Sequence, residues 1–133
     1  MRGIVVSKPV FSDLFTASGR RNRKSYFLYG LAVTIILGIV WGVAMGASHG
    51  EPGLGVVVAS IISILFVVAS CFVSAQRCRD FGWTGWAVLI TLLPFVGWIF
   101  SVAMLFIPGT DGPNRYGPDP LAADLASNPV LPA

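Results

Sequence analysis

The apolar positions of this chain fall in three long runs, not in the short alternations or spaced stripes of a water-soluble fold. Residues 26–47, 54–75 and 86–107 each make a 22-residue stretch without Asp, Glu, Lys, Arg or His. At ~1.5 Å of rise per residue such a stretch coils into a helix of about 33 Å, enough to cross a hydrocarbon core of about 30 Å. Helix is the expected form, because an unpaired backbone group in lipid is costly and a helix pairs its own groups. The pattern predicts an all-α fold: a polytopic membrane helical bundle of three transmembrane helices. Around that membrane domain lie a basic segment, 1–25, and a Pro-rich tail, 108–133, whose end from Ala122 to Ala133 is expected to be disordered.

Two places complicate the pattern. Pro94 and Gly97 interrupt the third run near its centre. A kinked single crossing is favoured, because limbs of eight to ten residues are too short for a bilayer and a turn exposed to lipid is disallowed. The competing geometry is a re-entrant hairpin, 86–93 up and 98–107 back, which would return the tail to the side of the loop 76–85. Before the first run, Val10, Phe11, Leu14 and Phe15 fall on one helical face behind Pro9. That spacing predicts a short interfacial helix with its apolar face at the headgroups.

Composition confirms lipid as the solvent: 55% of residues are hydrophobic and 11% charged, against roughly 25% charged in soluble domains. A cleaved leader fits poorly, since the first apolar run is too long and two more follow. Six of the nine Lys and Arg precede residue 26, none lie in the loop 48–53, two lie in 76–85 and one in the tail. The positive-inside rule then places the N-terminus and the second loop in the cytoplasm, with His49 and Glu51 outside. A single third crossing puts the tail outside as well.

Candidate chemistry is sparse. Arg20, Arg21, Arg23 and Lys24 precede the first run, and Arg77, Arg79 and Asp80 end the second. Both groups suit contact with anions or lipid headgroups, Asp80 orienting one of its arginines, although topology alone calls for such basic residues. Gly38, Gly42 and Gly46, four apart on nearly one face, are candidates for close helix packing, within the chain or against a second copy. Aromatic residues are absent inside the basic run, so nucleic acid is not an expected partner. Cys71 and Cys78 with one His make no zinc set, and no cofactor motif or nucleophile with a matching base is present. No ionisable residue lies inside a run, which tells against an ion-coupled transporter.

Three stretches, GRRNRKSYF, RCRDFGWTGW with the following LLPFVGW, and GPNRYGPDP, together resemble the bacterial inner-membrane family known as domain of unknown function 805. The resemblance runs from about Phe11 to Pro120. It implies a multi-span protein of the bacterial plasma membrane and brings no established activity. The family's loop usually carries His where this chain has Arg79, while Arg77 and Asp80 match; a role needing imidazole proton transfer is therefore not expected here. The chain reads as a small structural or interaction component of the inner membrane, with membrane lipids and a second copy or another membrane protein as partners. A carrier or channel-like component with Arg77 and Arg79 at its mouth is the alternative, and no residue set supports an enzyme. If the third run re-enters, the three shared motifs gather on one membrane face.

Overall fold

The computed structural model describes residues 11–121 except 12, 17, 50 and 52. Two long helices dominate it: α1, Arg23–Ala47, and α2, Leu54–Asp80. They run antiparallel across a short turn at His49, and beyond α2 come a 3₁₀ helix, Gly85–Leu92, and an 11-residue helix α3, Val96–Phe106. Only 17% of the apolar window of either long helix is buried. Helices this apolar and this bare belong in lipid, since a soluble core would hide them. Among the described residues the fold is all-helical, with two helices long enough to cross a membrane.

Each long helix starts and pairs for local reasons. Asn22 caps α1 by accepting a hydrogen bond from the Ser25 N–H at 2.9 Å, which satisfies one of the free donors of the first turn. Small buried residues, Ala44, Ala59 and Ala69, let α1 and α2 approach closely. Along the seam Trp41 donates to Ser63 at 2.9 Å, and the hydroxyls of Tyr29 and Ser70 meet at 3.2 Å. The glycine stripe is not part of this seam. A Cβ built at Gly38, Gly42 or Gly46 meets nothing within 4 Å, so packing within the chain, one of the two uses expected of these glycines, is corrected. Alanine already gives the closeness required.

The third run departs from the single kinked crossing. Leu93 is extended, as a residue before proline must be, and ends the 3₁₀ helix. Phe95 takes φ 62°, reversing the chain, and Gly97 donates to the Leu93 carbonyl at 2.7 Å. A Cβ at Gly97 would lie 2.3 Å from the Thr91 oxygen, so the reversal accepts only glycine there. The result is a hairpin of two short limbs whose outer ends both lie at the Asp80 end of α2. Gly85 sits under the Arg79 side chain, and the Ile107 carbonyl accepts from Arg77. Trp83 stacks on Phe100 at 6.0 Å, tying the loop to the returning limb. Within the turn the carbonyls of Leu93 and Pro94 accept from the N–H groups of Gly97 and Val96, both at 2.7 Å, so these two backbone acceptors are paired.

The expected interfacial helix also differs. Phe11 and Asp13–Phe15 form turns, not helix; Pro9 and Val10 lie outside the described residues, as does the end of the tail from Ala122. The apolar side chains of that segment pack on the bundle. Phe11 meets the Tyr29 ring edge-on at 6.3 Å, Phe15 meets Phe72 at 6.4 Å, and Leu14 packs against the core of Tyr29, Ala69 and Val73.

Candidate functional site

At the Asp80 end the chain folds four separated stretches into one buried polar cluster. The last turns of α2 supply Gln76, Arg77, Arg79 and Asp80, beyond the apolar run; the segment before α1 supplies Arg20 and Arg21. Arg77 and Arg21 are fully buried, and Asp80 and Arg20 nearly so, at 3% and 4% exposure. A buried charge persists only if it is paired and hydrogen-bonded, which is how each of these is held.

Asp80 stands at the centre. One carboxylate oxygen takes the Arg77 guanidinium, three residues back on the same helical face. The other accepts from Arg20 Nε at 3.2 Å, and the charged Arg20 Nη2 lies 3.1 Å from the same oxygen as an ion-pair contact. Arg77 also donates to the carbonyls of Met104, at 2.9 Å, and Ile107. Those are free carbonyls at the end of α3, where a cation is favoured by the helix dipole. Arg20 uses its remaining donors on the tail, reaching the Thr110 and Gly112 carbonyls at 2.6 and 2.7 Å. One carboxylate and two arginines thus join the start of α1, the end of α2, the end of α3 and the tail.

The tail is held by its backbone as well. Thr110 N–H donates to the Asp80 carbonyl at 2.7 Å. Asn114 caps the end of α2 by donating to the Arg79 carbonyl at 2.9 Å. A Cβ at Gly109 would fall 2.3 Å from Asp80 Oδ2, so only glycine lets the tail lie this close to the carboxylate. The Tyr116 ring faces the guanidiniums of Arg79 and Arg115, 5.7 and 4.7 Å from its centroid. On the other side Arg21 donates to Gln76 at 3.2 Å and to Ser25 at 2.7 Å, while Gln76 donates to the carbonyls of Asp13 and Thr16, both at 2.8 Å. Burial lowers the pKa of the Arg21 guanidinium, and Asp13 works in the opposite direction.

This arrangement revises the expected headgroup site. Arg20, Arg21, Arg77 and Asp80 are turned inward and engaged with the protein, so they do not offer themselves to lipid phosphates. Arg23 and Lys24 are exposed; Arg79 is half-buried, with a buried Nη1 that has no hydrogen-bond partner. Residues 26–107 supplied the reading of the spans, yet the site depends on Gln76, Gly109, Thr110 and Asn114, none of them singled out from the sequence as a candidate. The one signal available was that the tail and loop motifs occur in the same family.

The model of a family described as "Protein of unknown function (DUF805)" matches residues 14–118. The chain belongs to the DUF805 family. Similar to it are the inner membrane proteins YhaH and YhaI of Escherichia coli K12, each 30% identical over 105 and 107 residues, or 77% of this chain and 84% of theirs. No solved structure matches the chain significantly. The DUF805 match begins at the Leu14 turn and ends one residue beyond the Asn114–Gly117 turn, so it takes in Arg20, Arg21, Gln76, Arg77, Asp80 and the tail residues Gly109, Thr110 and Asn114 that meet them. With inner-membrane relatives and bare apolar helices, this DUF805 chain is a membrane protein.

Proposed function

We propose that the protein is a structural or interaction component of the bacterial inner membrane, displaying a rigid, folded-back tail on the cytoplasmic surface. α1 and α2 cross the bilayer, the 3₁₀ helix and α3 form a re-entrant hairpin, and N-terminus, second loop and tail share one side. On that topology all nine Lys and Arg of the chain lie on one face, the strongest form of the positive-inside bias.

The observation that supports the interaction role is the closure of the cluster. Arg77, which a carrier would place at its mouth, is fully buried and spends its donors on Asp80 and the end of α3. The same groups that could have bound a solute or assisted a reaction instead fix the shape of a surface. The exposed cations left over, Arg23, Lys24 and Arg115, surround that surface and suit anionic lipid or an acidic partner.

Purification in mild detergent with stoichiometry and proteomic analysis tests the role. A reproducible partner or homo-oligomer, with proteoliposomes impermeable to small solutes, is the expected result; solute flux without a partner would establish the carrier instead. A reporter active only in the cytoplasm, fused after the tail, is expected to be active.

A further inference from the structure

Between α1, α2 and the hairpin lies a cavity of about 270 Å³ that the Asp80 cluster does not use. Six hydroxyls line it, those of Tyr26, Tyr29, Ser70, Ser74, Thr91 and Ser101, together with Gly30, Val67 and Leu92 at its lipid-facing rim. We infer that this cavity holds the glycerol-ester region of one phospholipid from the surrounding leaflet, with its phosphate beside Arg23.

Five observations carry the assignment. The lining holds no charged side chain, so the group it receives is uncharged. Thr91 and Ser101 donate to the carbonyls of Val88 and Gly97, which leaves the hydroxyls of Tyr26, Tyr29, Ser70 and Ser74 as the donors for an ester carbonyl. In the Tyr29–Ser70 pair only one hydroxyl donates to the other, and the acceptor keeps its own O–H to give. Gly30, Val67 and Leu92 are exposed, so the cavity opens sideways to lipid and is reached from the bilayer. Ser74 and Ser70 lie three and seven residues before Arg77, about 4.5 and 10 Å deeper along α2, the level where headgroup gives way to acyl chain. Finally, Arg23 is exposed, forms no ion pair among the described residues, and precedes Tyr26 and Gly30 by one and two turns on the same face of α1. A phosphate there and esters at the hydroxyls match the order of groups along a phospholipid. The O–H left over in the Tyr29–Ser70 pair would go unused against hydrocarbon alone, and a lipid ester accepts it.

The assignment needs α1 and α2 to cross the bilayer but not the interaction role, so either can fail without the other. Its test is retention of phosphatidylglycerol by the delipidated full chain in mild detergent, read by native mass spectrometry. Wild type is expected to hold one lipid per chain. Gly30→Leu, whose Cβ meets nothing within 4 Å and so leaves the fold intact, fills the rim and should weaken binding about tenfold or more. Arg23→Gln should weaken it about fivefold, the loss of one cation–phosphate contact. A diazirine placed next to the ester of phosphatidylglycerol should label the wild-type peptide containing Tyr26–Gly30, a readout independent of any variant's folding. Equal retention by wild type and Gly30→Leu, labelling spread evenly along α1 and α2, or occupation by free glycerol with no lipid retained would each overturn the assignment.

Discussion

The two ends of the α1–α2 pair are built on different physics. At the Asp80 end, buried arginines, a carboxylate and six or more backbone carbonyls lock four stretches together. Toward the His49 end the same two helices meet mainly through small residues, Ala44 and Ser48 against Gly55 and the buried Ala59, and an apolar groove of about 490 Å³ runs between them, lined by Ile39, Val43, Leu54 and Val58. The contrast shows where this fold gets its uniqueness. In lipid an apolar side chain gains little by leaving the tails for another helix, so packing alone specifies weakly. Polar groups in a dry setting have few acceptable partners, and the arrangement that satisfies all of them is specified strongly.

Asp80→Asn should break the contrast most severely. It keeps the shape but leaves Arg20 and Arg77 buried without a counter-charge, which costs about 3–5 kcal/mol. Melting in detergent should fall steeply, and trypsin should cleave at Arg115 once the tail is released. Gly109→Ala attacks the same end more gently by pushing a methyl into the carboxylate, at about 1–3 kcal/mol; tail release should precede loss of helix by circular dichroism. Asn22→Ala removes the α1 cap for about 1 kcal/mol, a modest drop in melting temperature with the tail still protected. At the bare side, Gly42→Leu should leave melting unchanged, because its Cβ meets no neighbour. Crosslinking yield sharpens that last case: a fall in dimer with unchanged melting would make the Gly38, Gly42 and Gly46 face a contact between copies, and an unchanged yield would remove it from any packing role.

Much of the membrane part was legible in the linear pattern. The runs 26–47 and 54–75 appear within α1 and α2, and Pro94 and Gly97 mark the break in the third run. What the break does was not legible, since a proline that kinks a helix and one that reverses the chain look alike in sequence; φ of Phe95 and the approach of Gly97 to Thr91 decide it. The basic run shows the same limit. Arg20, Arg21, Arg23 and Lys24 are indistinguishable as text, yet the first pair is buried and the second exposed. Arg20 finds its carboxylate 60 residues away and its carbonyl partners about 90 away.

The sequence by itself determined that two charge-free helical runs, 26–47 and 54–75, lie in lipid and that a basic end flanks them, because helix length and the cost of unpaired backbone in hydrocarbon are local matters. Tertiary structure alone decided at which end of the helix pair the tail packs, which arginines turn inward and where hydroxyls gather into a cavity. Those outcomes depend on partners distant along the chain, and a buried charge takes its role from the group that neutralises it.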